Sequence, residues 1–190
     1  LEVYCIDKNS GKIIWTGSCS DFTGASSEIP ESDAEAGMSV PTAAVCSKGV
    51  YAIFGNGNLV SFDFKGRLKW AKNIGVPKHT YGYTASLLIY DQILIVQYDS
   101  DLKLAIIGFD INTGEQKWET IRPGRPVNSS PVLANFEGAP QVLINGSPNV
   151  SAYDPLSGKE LWSLPGVKND VATALVVNSK MVFTVANYEK

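Results

Sequence analysis

Four stretches of apolar residues at strand-like positions each run into an aspartate: LEVYCID (Leu1–Asp7), NLVSFD (Asn58–Asp63), LAIIGFD (Leu104–Asp110) and NVSAYD (Asn149–Asp154). Their β-branched and aromatic content and their length predict strands. Each continues into a turn, a glycine and a tryptophan: DKNSGKIIW (Asp7–Trp15), DFKGRLKW (Asp63–Trp70), DINTGEQKW (Asp110–Trp118) and DPLSGKELW (Asp154–Trp162). The aspartate side chain can accept from backbone N–H groups in the turn, and the glycine supplies positive φ where the chain reverses. The repeat is thus a β-hairpin defined by Asp7, Gly11 and Trp15; Asp63, Gly66 and Trp70; Asp110, Gly114 and Trp118; and Asp154, Gly158 and Trp162.

Two further apolar segments recur upstream of the hairpins. A small or hydroxyl residue opens PTAAV (Pro41–Val45), TASLL (Thr84–Leu88), SSPVL (Ser129–Leu133) and ATALV (Ala172–Val176). VYAIF (Val50–Phe54), ILIVQY (Ile93–Tyr98), QVLIN (Gln141–Asn145) and MVFTVA (Met181–Ala186) follow. No segment carries a 3.6-residue apolar period, so almost no helix is expected. Four short strands per unit of about 40–50 residues is the signature of a β-propeller blade. An all-β propeller is therefore the expected fold; a β-helix would have a shorter period, and a sandwich would not repeat its turn chemistry.

Successive tryptophans lie 55, 48 and 44 residues apart, and joining the two ends gives a further spacing of 43. The expected blades are 40–72, 84–120 and 129–164, with 1–17 completing the strands of 172–190 and 18–39 forming an acidic inserted loop. Two arrangements fit: a closed four-bladed ring, or a segment of a larger ring cut at a repeat boundary. An open arc would expose strand edges and invite self-association.

Composition adds exclusions. With 44% hydrophobic and 18% charged residues the chain is ordinary for a globular protein. A net charge of −3 argues against a nucleic-acid partner. The longest apolar candidate for a membrane span, Ser86–Val96, is short and broken by Asp91 and Gln92. Cys5, Cys19 and Cys46 form no metal-binding pattern with the single His79, and a Cys5–Cys19 disulfide is open. Cys5 aligns with Ser61, Gly108 and Ala152, so it reads as a small residue in a close-packed position.

Catalytic chemistry is hard to assemble. No Ser/His/Asp set or G-x-S-x-G elbow can be built around one histidine, and Gly55–Asn58 lies between strands as a hairpin turn. The tryptophans are expected to pack between blades rather than bind ligand. The inserted loop carries Asp21, Glu28, Glu31, Asp33 and Glu35, which read as a solvated acidic loop in preference to a calcium site. Asp99 and Asp101 are expected in a hairpin turn. The candidate binding loop is VPKHTYGYTAS, with Lys78, His79, Tyr81 and Tyr83; Arg122 and Arg125 occupy the equivalent loop one blade later. Together they offer cations and aromatics to an anionic or peptide partner.

The four in-phase D-x-x-x-G-K-x-x-W copies, one of them a residue shorter, resemble the repeat of the quinoprotein-like (PQQ-like) β-propellers. PTAAVCSKGVYAIFGNGNLVSFDFKGRLKW and NSSPVLANFEGAPQVLINGSPNVSAYDPLSGKELW resemble the PQQ-binding-like repeat proteins of bacteria. The resemblance implies an exported, periplasmic location and a ring of seven or eight blades, of which this chain supplies about four. It also implies one of two functions. The favoured one is a non-catalytic scaffold that binds protein or peptide and needs no cofactor, similar to the lipoprotein of the outer-membrane β-barrel assembly machinery. The alternative is a dehydrogenase of alcohols or sugars that uses pyrroloquinoline quinone with calcium. Methanol-type members carry two adjacent cysteines, which this sequence lacks. The fold alone does not choose between these functions.

Overall fold

The computed structural model describes residues 1–30, 37–165 and 172–185. Every regular element among them is a strand. They are β1 (Glu2–Ile6), β2 (Ile13–Ser18), β3 (Ala44–Cys46), β4 (Gly49–Ile53), β5 (Asn58–Phe62), β6 (Leu68–Asn73), β7 (Leu88–Tyr90) and β8 (Ile93–Ser100). There follow β9 (Lys103–Asp110), β10 (Gln116–Ile121), β11 (Val132–Phe136), β12 (Ala139–Asn145), β13 (Asn149–Tyr153), β14 (Glu160–Pro165), β15 (Val176–Val177) and β16 (Val182–Phe183).

Strands β3 to β6, β7 to β10 and β11 to β14 each form a four-stranded antiparallel meander, and β1–β2 and β15–β16 form two-stranded sheets. The short first strands β3, β7 and β11 touch one another, so they form the inner side of the stack. These inner strands begin about three residues later than the sequence pattern places them. The reason is a ladder between blades: the Thr42 amide donates to the Ser86 hydroxyl at 3.2 Å, and the Ser86 amide to the Ser130 hydroxyl at 2.9 Å. Those amides serve the neighbouring blade instead of a strand ladder.

The hairpin motif repeats in detail. Asp7, Asp63, Asp110 and Asp154 each accept two backbone N–H bonds on Oδ1 within their own turn. A β-bulge recurs beside each tryptophan in β1/β2, β5/β6, β9/β10 and β13/β14. The small residues Cys5, Ser61, Gly108 and Ala152 lie directly across from Trp15, Trp70, Trp118 and Trp162. The indole thus covers its own hairpin on one face.

On its other face the indole meets the next blade. Trp15 lies against Gly66, Trp70 against Gly114 and Trp118 against Gly158. The ring nitrogens of Trp15 and Trp70 donate to the carbonyls of Phe64 and Ile111, each the residue after the turn aspartate. Trp118 breaks the series, with its buried Nε1 unpartnered. The apolar side chains between sheets make separate cores, one per junction: Phe54, Val60 and Phe62 belong to one, Tyr51, Leu94 and Phe109 to the next, Ile95, Ile144 and Tyr153 to a third, and Leu143, Ala152 and Leu175 to a fourth.

All three cysteines are free thiols. Cys19 is fully buried, and that burial pushes its thiol up to about 11. The inserted loop folds back over the β4–β5 turn, where Asn58 Nδ2 donates to the Cys19 and Ser26 carbonyls and the Gly55 amide to the Met38 carbonyl. Asp21 and Glu28 are exposed, while Glu31, Asp33 and Glu35 lie outside the described residues.

Candidate functional site

Two connections cross the same end of the β7–β10 blade. Residues 74–87 enter it from β6, and residues 122–131 leave it toward β11. Both are anchored on the β8–β9 hairpin. The Asp101 amide donates to the Lys78 carbonyl at 2.8 Å, and the Lys78 amide to the Ser100 hydroxyl at 3.1 Å. The Arg122 amide donates to the Leu104 carbonyl at 2.9 Å. His79 ties the two connections together, its Nε2 lying 3.2 Å from Asn128 Oδ1 and its Nδ1 4.0 Å from Asp101.

The six residues singled out in the sequence divide here. Lys78, Tyr81 and Arg125 are exposed, and His79 is half-buried with Tyr81 edge-on to its ring. Tyr83 is buried: its hydroxyl donates to the Gly75 carbonyl at 3.1 Å and its ring packs on Tyr98. Burial, and after it the nearby Tyr98, holds its phenol well above the ordinary range. Arg122 is buried as well, with its side chain 4% exposed and ion-paired to Asp99. These two side chains brace the loops from inside and do not reach a partner.

Asp99 corrects a further expectation. It lies in β8, not in the turn, and is 7% exposed. Besides Arg122 it accepts from the Val127 amide at 3.1 Å and from Gln97 Nε2 at 3.0 Å. Only Asp101 stands in the hairpin turn. The pattern YDSD reads as a polar turn, but the strand extends to Ser100 because the following loop brings Arg122 and Val127 N–H to meet the buried carboxylate. No local signal encodes a contact made 23 and 28 residues away.

The result is a grooved surface. One cleft of about 520 Å³ lies between Glu28–Pro30 of the inserted loop, residues 76–80 and Asp101. A second, of about 430 Å³, lies on the other side of Asp101, between the β8–β9 hairpin and residues 121–126. Exposed apolar groups, Ile29 and Leu102, stand beside Lys78, Arg125, Glu28 and Asp101. Ile29 was not marked by the sequence, because nothing in the acidic loop shows that it folds against the next blade.

This surface has no nucleophile paired with a base; His79 faces an amide and a carboxylate. Among the described residues no three His, Cys, Asp or Glu side chains come together as a metal site. Among the described residues no helix is long and apolar enough to cross a membrane.

Four-stranded sheets stacked face to face around an inner row of short strands define a β-propeller of the quinoprotein-like repeat class. The chain belongs to the family described as outer membrane protein assembly factor BamB, whose sequence profile matches residues 2–190. Its fold is similar to the crystal structure of BamB from Moraxella catarrhalis, with a TM-score of 0.68 and 16% identity over 95% of this chain and 51% of that one. It is also similar to the quinohemoprotein alcohol dehydrogenase of Comamonas testosteroni, with a TM-score of 0.67 and 18% identity over 92% of this chain and 34% of that one. The chain therefore spans about half the length of the first and a third of the second. A comparison with curated proteins finds no match.

Proposed function

We propose that this chain is a non-catalytic propeller scaffold that binds a protein or peptide, working outside the cytoplasm in the assembly of outer-membrane proteins. The observation that carries the reading is the family match across residues 2–190. The grooved surface supports it. Its loops are clamped to β8 and β9 by backbone bonds, so a partner would meet a pre-ordered surface and lose little loop entropy on binding. Apolar groups beside both signs of charge suit a protein surface better than a small anion.

The test is co-purification of the tagged protein, from its own bacterium, with the proteins of the outer-membrane assembly machinery. Lys78→Glu and Tyr81→Ala are expected to weaken that association at least tenfold while leaving the thermal midpoint unchanged. Association that both variants leave intact would move the binding surface elsewhere. Saturable binding of pyrroloquinoline quinone with calcium, together with dye reduction by alcohols or sugars, would replace the scaffold reading with a dehydrogenase.

A further inference from the structure

The cleft of about 520 Å³ has two facing segments, Glu28–Pro30 of the inserted loop and residues 76–80 of the connection after β6. Each starts just beyond a bond to the same group of asparagines: Glu28 is two residues past Ser26, and Val76 is one past Gly75. Asn58, the first residue of β5, is fully buried. Its Oδ1 accepts from the Ser26 amide at 3.0 Å and from Asn73 Nδ2 at 2.9 Å. Its Nδ2 donates to the Cys19 carbonyl at 3.1 Å and to the Ser26 carbonyl at 3.2 Å. Both donors and both acceptor positions of the carboxamide are thus used. On Ser26 it engages the backbone N–H and C=O together, as a neighbouring strand would.

Two more asparagines carry the link to the other side of the cleft. Asn56 Nδ2 donates to the Ser26 carbonyl at 2.7 Å. Asn73 Nδ2 also donates to the Asn56 carbonyl at 2.7 Å, and Asn73 Oδ1 accepts from the Gly75 amide at 2.9 Å. A Cβ on Gly57 would stand 2.1 Å from the Gly75 carbonyl oxygen, so the β4–β5 turn and the connection are in direct backbone contact. The ring of Pro30 lies against Gly55 of the same turn. The blade repeat does not ask for this carboxamide. The residues at the same distance before the other turn aspartates are Glu2, Ala105 and Asn149, and Asn149 Nδ2 donates to Ser163 Oγ within its own sheet. Only at Asn58 does the side chain reach out of the blade to the inserted loop.

We infer, resting on the scaffold reading, that Asn58 is the positioning residue of the partner-binding cleft. Its carboxamide ties Ser26 to Asn73 and so sets the separation of Glu28–Pro30 from residues 76–80, into which a partner segment fits. The inserted loop thereby takes part in recognition, with Ile29 as its contact: that side chain is 80% exposed on a backbone held from beneath. A loop held in place loses little entropy when the partner arrives. A loop released from Asn58 has to be ordered at that moment, and the association is weakened by that cost.

Asn58→Asp tests this, because it keeps the shape and the accepting oxygen but cannot donate, and it turns an oxygen toward the Cys19 and Ser26 carbonyls. Hydrogen exchange of the Ser26 amide should become at least tenfold faster, with the Thr42 and Ser86 amides of the blade-to-blade ladder unchanged. Association with the outer-membrane assembly machinery should weaken at least tenfold. Ile29→Ser should weaken association as much and leave Ser26 exchange as it is. Gly114→Ala is the control for lost stability, since it lies in the β9–β10 turn, at the other end of β9 from Asp101; below its unfolding midpoint it should associate normally. Unaltered Ser26 exchange in Asn58→Asp overturns the inference, as does association that Asn58→Asp leaves intact or that Gly114→Ala weakens equally. If the unaltered protein does not co-purify with the machinery, the scaffold reading fails by itself, and Ser26 exchange decides whether Asn58 holds the loop. If Asn58→Asp does not fold, Ser26→Pro removes the same bond from the loop side, and Gly75 exchange and association are read in its place.

Discussion

The indole of Trp70 lies so close to Gly114 of the next blade that a Cβ added there would come within 2.6 Å of the ring. Gly114 also has φ +71°, where side chains are strained. One glycine therefore serves two needs: it reverses the hairpin of its own blade, and it leaves room for the tryptophan of the blade before. That coupling links the local turn to the stacking of the propeller.

Gly114→Ala should accordingly lose both functions, with a cost of about 1 kcal/mol for the left-handed backbone and about 1–3 kcal/mol for overpacking. Gly138 is the control, because it has φ +85° but nothing within 4 Å of the Cβ position. Gly138→Ala should cost about 1 kcal/mol. Urea unfolding of the two variants checks the difference.

The indole nitrogens make a second contrast. Trp70 Nε1 donates to the Ile111 carbonyl at 2.9 Å, while Trp118 Nε1 is buried without a partner. Phenylalanine removes a satisfied donor at one site and an unsatisfied one at the other. Trp70→Phe should therefore destabilise more than Trp118→Phe, by about 1–2 kcal/mol, as read from chemical denaturation.

The Asp99–Arg122 pair should behave as a unit. Arg122→Met leaves a buried carboxylate with only the Val127 amide and Gln97, and a loss of about 3–5 kcal/mol is expected. Adding Asp99→Leu should cost much less than the sum of the single changes, because no charge then remains buried. A double-mutant cycle on the unfolding free energy measures the coupling.

Acid should weaken the hairpin turns. The Asp63 carboxyl is held below its ordinary value by the Arg67 amide, and Asp7 by the Ser10 hydroxyl and amide. At Asp110 burial pushes upward, but the Asn112 and Thr113 amides outweigh it. At Asp154 burial is likewise outweighed, by the Ser157 hydroxyl and the turn amides. With folded values below unfolded ones, the stabilisation is complete above the ordinary carboxylate value of about 3.9 and is lost as pH falls through the lowered values. The urea midpoint should be steady from pH 7 to 5 and drop below about pH 4. The triple change of Asp63, Asp110 and Asp154 to asparagine should lower the midpoint at pH 6 and flatten that acid limb.

Much of the fold is legible in the sequence because its signals are local. Alternation predicts strands, and the Asp–Gly turn closes a hairpin with bonds made inside the turn itself. Four copies in phase make the blade visible, since each must satisfy the same neighbours. The innermost strands are less legible. Thr42 and Ser86 look like strand starts until the next blade's hydroxyl appears beside their amides. The candidate surface is legible only in outline. The sequence groups Lys78, His79, Tyr81, Tyr83, Arg122 and Arg125 by their place in equivalent loops, but cannot say which side chains turn inward.

That last division belongs to the tertiary structure. Tyr83 reaches back to Gly75 and Tyr98, and Arg122 reaches Asp99, because a polar group entering the interior must find its partner there. Ile29 joins the cleft because Asn58 and Gly55 draw the inserted loop across the next blade. Turn chemistry and strand periodicity act over a few residues and are written in the chain. The burial of a charge, the pairing of distant loops and the shape of a groove depend on surfaces that meet only when the blades stack.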